Sequence, residues 1–339
     1  MAYHFRNLVF EGGGIKGIAY VGAMKVLKDE GIPPYITRVG GTSAGAINAT
    51  LFALGFTTAQ TRKILKTLDI NKFADDSWGI LRDTNRLVSK FGWNKGDYFH
   101  TWIGKHVKSR LGSPNATFRD LKNADNPDLY VYGTNLSTRF GEVFSFEHTP
   151  TVRIADAVRI SMSVPLFFTA IRNAREDVYV DGGVLNNYPV KLFDRRKYVS
   201  RAKMARTTDY YEKENTRFIK RNPASSPYIY NRETLRLRLN SKQEIGAFPY
   251  GKEPAHYEIN NFIDYIKALT STILNSQGNM HLHRDDWHRT LYIDSKGVGT
   301  TDIDISEAKK KALEKSGHDC AMTYFKWFND KKSEPIKRL

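Results

Sequence analysis

One serine in this sequence stands where its hydroxyl could act as a nucleophile. Gly41-Thr42-Ser43-Ala44-Gly45 follows a short strand-like run over residues 36–40 and precedes an apolar run over residues 44–54. Small residues around a serine allow the sharp strand-to-helix turn that exposes its Oγ. A hydroxyl at the start of a helix also faces the positive end of the helix dipole. The sequence therefore predicts a nucleophile elbow with Ser43 as the nucleophile.

A glycine-rich stretch lies upstream of this serine, again between a predicted strand and a predicted helix. Residues 8–10 are typical of a buried strand, and residues 18–30 of a helix. The stretch between them contains Gly12, Gly13, Gly14, Ile15, Lys16 and Gly17. Glycine amides that no side chain shields can bind an anion, either a phosphate or the oxyanion of an acyl transfer. We therefore expect an anion-binding loop here.

A carboxylate ends a β-rich run much later in the chain. Asp181 follows residues 178–180 and precedes Gly182 and Gly183, which leave room for another group to approach. An ordinary aspartate, with a pKa of about 3.9, is ionised at neutral pH but is a weak base toward an alcohol. It could take the proton of the serine only in close contact with it. Asp-Gly-Gly alone is also a common turn sequence, so the other two motifs carry this interpretation.

Taken together, the three motifs resemble those of the patatin-like phospholipase family. Its members carry G-x-G-x-[RK]-G, then G-x-S-x-G, then D-G-[GA], in the order found here. Further stretches that resemble the family lie at residues 93–99, 161–168, 290–294 and 300–302. The resemblance therefore extends over residues 8 to about 328.

The resemblance implies an α/β fold with three layers, α/β/α, and a mostly parallel central sheet. It also implies a Ser–Asp dyad, with Ser43 as nucleophile, Asp181 as general base and the amides of Gly12, Gly13 and Gly14 around the oxyanion. Lys16 and Gly17 complete that loop. The implied activity is the hydrolysis of fatty-acyl esters of membrane phospholipids, of phospholipase A or lysophospholipase type. It implies neither a metal nor a cofactor.

Length and composition are compatible with this fold. A chain of 339 residues can bury a large core, and its apolar content of 40% is ordinary for a globular protein. We expect one domain over residues 1–330 and a charged tail over residues 331–339. The single cysteine, Cys320, excludes an internal disulfide and is expected to be a buried structural thiol.

The net charge of +16 is concentrated in one part of the chain. Residues 195–252 contain fifteen basic and five acidic residues, which predicts a basic surface insertion over about 195–255. Each Lys or Arg near an anionic lipid surface contributes about 1 kcal/mol. A peripheral membrane surface, possible protein or small-molecule activators, and plain solvation of this segment all remain open. Nucleic acid is disfavoured, because no basic–aromatic RNA-reading motif is present.

No secretory signal is evident, and the charge-free stretch over residues 39–61 fits the elbow and a core helix better than a membrane span. We expect a soluble, cytoplasmic protein that is peripheral at membranes, and export as an effector without a classical signal peptide stays open.

Residues 70–93 carry aromatic and aliphatic side chains at partly helical spacing. They are interpreted as a lid over the acyl channel or as a permanently packed cap helix.

Four other classes of site fit this sequence less well. G-x-G-x-x-G at residues 12–17 also fits a dinucleotide fingerprint, but the second predicted strand ends without the carboxylate that such a site needs. The Lys-Ser/Thr ending of a P-loop is absent. A Ser-His-Asp triad or an acyltransferase would need a histidine, and the histidines that follow Asp181 occur in no recognisable loop: His256, His281, His283, His288 and His318. A metal cluster around residues 281–288 is less favoured than a surface helix end.

A non-catalytic lipid- or partner-binding module on the same scaffold is the remaining alternative. A scaffold that has lost catalysis normally lacks the nucleophile or the base, whereas both Ser43 and Asp181 are present here.

Overall fold

The computed structural model describes residues 3–68, 87, 89–240, 258–280, 284–300, 302 and 305–330. Most of the predicted lid or cap segment, residues 70–93, lies outside them. So do residues 241–255 of the basic segment, the tail over residues 331–339, and His256, His281 and His283.

The described residues contain short strands and longer helices that alternate in the first part of the chain. The strands are β1 (Asn7–Phe10), β2 (Arg38–Thr42), β3 (Gly92–Asn94), β4 (Asp128–Asn135), β5 (Phe140–Ser145), β6 (Leu166–Phe168), β7 (Ile171–Arg172), β8 (Val178–Asp181), β9 (Ala205–Arg206), β10 (Tyr230–Asn231), β11 (Thr234–Asn240) and β12 (Thr290–Asp294). The helices are α1 (Ala19–Asp29), α2 (Ala44–Ala53), α3 (Thr58–Lys66), α4 (Asp97–Leu111), α5 (Phe118–Asn123), α6 (Ile154–Ser161), α7 (Gly183–Asn186), α8 (Asp209–Arg221), α9 (Phe262–Met280) and α10 (Glu307–Asn329).

Eight of these strands form one sheet in the order β12-β11-β1-β2-β4-β8-β7, with β5 paired to β4. The neighbours from β12 to β4 are all parallel, whereas β5, β7 and β8 join antiparallel. Parallel strands buried on both faces read as continuous apolar runs, as Leu8-Val9-Phe10 does. The predicted α/β fold with a mostly parallel central sheet is therefore confirmed.

The register of β4 brings the two predicted catalytic loops together. Thr42, the last residue of β2, pairs with Tyr132 of β4. The next residue of β4, Gly133, pairs with Asp181 at the end of β8. Because β5 pairs with the other edge of β4 at both positions, β2 and β8 meet end to end along one edge of β4, with the elbow next to the aspartate.

The prediction of a basic surface insertion is wrong for part of residues 195–240. Strand β11 lies inside the sheet between β1 and β12. Its leucines at positions 235, 237 and 239 belong to the main apolar core, and its arginines, Arg236 and Arg238, are buried on the other face. The alternation of Leu and Arg is that of a strand with two buried faces, and a count of charges does not reveal it.

Arg236 belongs to a buried network of two arginines and two aspartates. It pairs with Asp194, at 2.6 Å, and with Asp286. Arg289 pairs with the same two carboxylates, at 2.6 and 2.8 Å, and its guanidinium lies 3.7 Å from the ring centroid of Tyr230. All four charged side chains are almost fully buried. The network joins the loop that follows the Asp181 motif to β11 and to the turn before β12.

None of the helices in the described residues is long and apolar enough to cross a membrane. Cys320 lies on α10 and is partly exposed, so it is less buried than the sequence predicted.

Replacing Asp194 with alanine should lower the free energy of unfolding by about 3–5 kcal/mol, because two buried guanidinium groups would then share one carboxylate. Urea titration measures the loss. Asp29→Ala is the matched control, since it breaks an exposed pair with Lys25 and should cost under about 0.5 kcal/mol. Equal losses in the two variants would contradict the structural role of the network.

Candidate active site

Ser43 occupies a strained turn between β2 and α2. Its backbone has φ 54° and ψ −126°, a conformation that residues with a side chain rarely adopt. The turn is held from behind by Ser161, whose Oγ accepts a hydrogen bond from the Ser43 amide at 2.9 Å and donates one to the Tyr132 carbonyl at 2.7 Å. The predicted strand–turn–helix context of Ser43 is therefore present.

The small residues of the elbow allow close backbone packing. A Cβ on Gly45 would lie 2.6 Å from the Glu11 carbonyl, and one on Gly41 would lie 2.6 Å from the Gly45 carbonyl carbon. Thr42 donates its hydroxyl to the Asn186 carbonyl at 3.0 Å, and Ala44 lines the cleft in front of Ser43. The start of α2 can thus press directly against the end of β1.

Asp181 is fully buried next to Ser43. Its Oδ1 accepts a hydrogen bond from the Gly183 amide at 2.7 Å, whereas its Oδ2 has no partner among the described residues. Burial raises the pKa of this carboxyl to about 7, and the Gly183 amide and the Ser43 hydroxyl act in the opposite direction. Such a carboxyl is a far better base toward a hydroxyl than an ordinary aspartate.

The glycine loop differs from the prediction in one respect. The amide of Gly12 donates to the Asn187 carbonyl at 2.9 Å, so it is not available to an oxyanion in this conformation. Gly13 and Gly14 line the cleft, and their amides donate no hydrogen bond within the described part of the chain. Gly14 has φ 56° and begins a 3₁₀ turn, Gly14–Ile18. Gly13 and Gly14 are the donors that an oxyanion could reach.

Lys16 and Gly17 lie behind this loop. Lys16 is buried at 7% exposure, and a Cβ on Gly13 would lie 3.3 Å from its Cε. A Cβ on Gly17 would lie 3.1 Å from the Cβ of Ala44, so the glycine lets the 3₁₀ turn approach α2. Gly17 lines the cleft, whereas the described lining does not include Lys16. We conclude that Lys16 supports the loop from inside.

Glu11 is a supporting residue that the sequence did not single out. Its carboxylate is buried and accepts a hydrogen bond from the Leu239 amide at 2.6 Å, and Arg238 lies 3.5 Å away. Its backbone carbonyl accepts the hydroxyl of Tyr20. The glycine loop is therefore tied to β11 at its first residue.

Ser43 opens into an apolar cleft with an empty volume of about 1070 Å³, part of it open to solvent. Its walls come from the glycine loop, from helices α2, α3 and α9, and from the segment that follows α6. They include Ile15, Ile47, Leu65, Met162, Phe167 and Leu274. Ser43 Oγ lies 3.6 Å from the sulfur of Met162. Polar groups are few, and Asn48 and Asn187 are two of them.

The histidines considered in the sequence do not reach this cleft where the structure describes them. His288 stacks on Trp327 at 5.8 Å between ring centroids, and His318 is paired with Asp319 on α10. Among the described residues, no histidine lines the cleft and no cluster of His, Cys, Asp or Glu could hold a metal ion.

Comparison with known proteins assigns the family. The family description "Patatin-like phospholipase" matches residues 8–194, more than half of the chain. The chain belongs to the patatin-like phospholipase family. The matched region contains all three motifs and ends at Asp194.

Two viral proteins are similar over about half of this patatin-like chain. Uncharacterized protein R571 of Acanthamoeba polyphaga mimivirus is 34% identical over 190 residues, which cover 56% of this chain and 61% of that protein. "Probable lipid hydrolase 463L" of Invertebrate iridescent virus 6 is 26% identical, over 56% of this chain and 63% of that protein. The matches thus span less than two thirds of either relative.

A solved structure is similar over nearly the whole patatin-like chain. VipD from Legionella pneumophila superposes with a TM-score of 0.59 and 19% identity, covering 96% of this chain and 67% of that one. At this identity the similarity concerns the fold alone.

The raised pKa of Asp181 should make the free energy of unfolding depend on pH. The folded state keeps a proton on this carboxyl up to about pH 7, whereas the unfolded chain loses it near pH 4. The contribution of Asp181 to the free energy of unfolding should therefore decrease as pH rises from 4 to 7, by up to about 1.4 kcal/mol per pH unit. Asp181→Asn removes this term, so the variant should gain stability relative to the wild type as pH rises through that window.

Urea titrations of both proteins at pH 5, 6, 7 and 8 measure this difference. Asp29→Asn, at an exposed carboxylate, should show a constant offset. A difference between Asp181→Asn and the wild type that does not change with pH would contradict the raised pKa.

Proposed function

We propose that this protein is a lipid acyl hydrolase of phospholipase A or lysophospholipase type, with Ser43 as nucleophile and Asp181 as general base. The observation that carries the proposal is the fully buried carboxyl of Asp181 beside the elbow serine, which lines an apolar cleft. Membership of the patatin-like phospholipase family supports it. The name of the iridescent-virus relative, a probable lipid hydrolase, points to the same chemistry.

The first half of the reaction forms an acyl-enzyme. Deprotonated Asp181 takes the hydroxyl proton as Ser43 Oγ attacks the ester carbonyl. The amides of Gly13 and Gly14 stabilise the oxyanion of the tetrahedral intermediate, since they lie in the cleft wall without other acceptors in the described chain. Asp181 then returns the proton to the leaving alcohol, a lysolipid or glycerol derivative.

The shape and polarity of the cleft favour an acyl chain as the bound group. The walls are mainly aliphatic and aromatic side chains, and the charged lining residue is Asp302 among those described. Each methylene transferred from water into such a cleft contributes about 0.8 kcal/mol. Longer acyl chains should therefore bind more tightly until the cleft is filled.

The substrate would be met at a membrane surface, where fatty-acyl esters are found. The net charge of +16 supports peripheral binding to anionic lipid. Part of this positive charge is unavailable, because Arg236 and Arg289 are paired inside the protein. The exposed cations of residues 195–240 include Lys203, Lys213, Lys220 and Arg221, and the last three of these lie on α8.

Hydrolysis of a fluorogenic phospholipid in mixed micelles tests the proposed function. Ser43→Ala and Asp181→Asn should each lower turnover by about 10³-fold or more, because nucleophile and base act as one unit. Ser109→Ala, at an exposed serine on α4, is the matched control and should retain the wild-type rate. A calcium chelator is present throughout.

Two outcomes would contradict the proposal. Full activity in Asp181→Asn would reject the dyad. Equal inactivity of the wild type and both variants, on the phospholipid and on a short-chain ester, would favour a non-catalytic or activator-dependent lipid-binding module.

The pH dependence of the reaction tests the base separately. The rate should increase about tenfold per pH unit at low pH and level off above pH 7, because Asp181 must be deprotonated and its pKa is about 7. A water-soluble nitrophenyl ester, assayed between pH 5 and 9, avoids titration of a lipid surface. A rate that is constant from pH 5 upward would show that a group with an ordinary carboxylate pKa acts as the base.

A further inference from the structure

Two buried oxygen atoms near Ser43 have no hydrogen-bond partner among the described residues: Oδ2 of Asp181 and Oδ1 of Asn187. Asp181 is fully buried and Asn187 is 4% exposed. A buried acceptor without a donor costs about 1–3 kcal/mol. The Ser43 hydroxyl, which hydrogen-bonds the Asp181 carboxyl, is lost when that serine is acylated, so the acyl-enzyme has two buried acceptors that need a donor. The acyl transfer described above assigns a role to the first of them only.

The contacts of Asn187 fix the direction of its side-chain amide. Its Nδ2 donates to the Gly12 carbonyl at 3.2 Å, and its backbone carbonyl accepts the Gly12 amide at 2.9 Å. The side-chain nitrogen is thus engaged by the glycine loop, which leaves Oδ1 as the free end of the amide.

That free end lies close to both Ser43 and Asp181. A Cβ on Gly12 would overlap Asn187 Oδ1 and would lie 3.1 Å from the Cβ of Ser43. A Cβ on Gly183 would lie 2.9 Å from Asn187 Oδ1 and 3.0 Å from Asp181 Oδ1. Asn187 also lines the cleft together with Ser43, whereas Asp181 lies behind them.

A water molecule that attacks an acyl-enzyme carries two protons, and only one of them goes to the base. The second proton needs an acceptor, so that a lone pair of the water points at the ester carbon. Asp181 Oδ2 and Asn187 Oδ1 are two buried acceptors near Ser43. A water between them would satisfy both buried oxygens.

We propose that Asn187 Oδ1 and Asp181 Oδ2 together hold the water that hydrolyses the acyl-enzyme. The inference rests on the proposed acyl transfer through Ser43. The water oxygen bonds to the ester carbon while one of its protons passes to Asp181 and the other stays hydrogen-bonded to Asn187. The tetrahedral intermediate then expels Ser43 Oγ, which takes the proton from Asp181, and the fatty acid leaves with the second proton.

A purely structural role of Asn187, as a clamp on Gly12, makes a different prediction. Loss of a clamp would disturb the oxyanion loop, and acylation and deacylation would slow together. Loss of a water acceptor would slow hydrolysis alone. Methanol separates the two cases, because it carries one hydroxyl proton and needs Asp181 but not Asn187 Oδ1.

The experiment uses the full chain, nitrophenyl octanoate and buffered water with added methanol. The fatty acid and its methyl ester are quantified by mass spectrometry. In Asn187→Ala the ratio of methyl ester to fatty acid should rise roughly tenfold over the wild type, the effect of one oriented hydrogen bond in a transition state. Asn222→Ala, at an exposed asparagine just after α8, is the matched control and should leave the ratio unchanged.

A second variant keeps the test decisive if Asn187→Ala does not fold. Asn187→Asp retains an acceptor and loses the Nδ2 donor to Gly12, so its product ratio should stay near the wild-type value even if its overall rate falls. An unchanged ratio in Asn187→Ala, or a raised ratio in Asn187→Asp, would overturn the inference and leave the proposed function intact. Equal ester hydrolysis by the wild type and Ser43→Ala would overturn both.

Discussion

The pairing of β2 and β8 with consecutive residues along one edge of β4 is the constraint on which the site depends. Ser43 and Asp181 are far apart in the chain, and the register of β4 places their loops at adjacent positions. Ser161 reinforces this point, since its hydroxyl bridges the Ser43 amide and the Tyr132 carbonyl of β4. A slip of one residue in either pairing would turn every side chain of that strand to the opposite face. The proposed dyad of Ser43 and Asp181 therefore depends on this register.

The protein treats two buried aspartates in opposite ways. Asp194 is surrounded by Arg236, Arg289 and the Tyr211 hydroxyl, so its charge is compensated several times over. Asp181 has one backbone donor and no cation in contact among the described residues, and burial raises its pKa to about 7. The first arrangement holds elements together, whereas the second keeps a proton exchangeable near neutral pH. The two aspartates are close in the sequence, since Asp181 ends β8 and Asp194 lies in the segment that follows.

Local sequence pattern predicted much of the fold and the positions of the main motifs. The glycines around Ser43 and the two glycines after Asp181 indicate turns, and the geometry of a turn depends on residues adjacent in the sequence. The strand–turn–helix context of Ser43 follows from this. The contact between Gly12 and Asn187 could not be predicted in this way, because it joins residues 175 positions apart. It also changes which glycine amides remain available to an oxyanion.

The interpretation of residues 195–255 as a basic surface insertion failed at β11 for a related reason. The leucines and arginines of this strand suggest a charged surface when their partners are unknown, and those partners, Asp194 and Asp286, lie on other elements. The pKa of Asp181 is equally invisible in the sequence, because it is set by burial. Charge and titration depend on tertiary neighbours, whereas turns and strands are largely local properties.

The position of β11 also has a consequence for how the site comes into being. β1 pairs with a strand whose matching residue, Thr234, lies 227 positions after Asn7, and Glu11 at the start of the glycine loop is held by Leu239. At translation rates of roughly 5–20 residues per second, the ribosome reaches β11 on the order of tens of seconds after it has made β1. During that interval one edge of β1 is open and the glycine loop lacks its anchor. The nascent chain therefore carries Ser43, the proposed nucleophile, long before it can arrange the groups that would make that serine reactive.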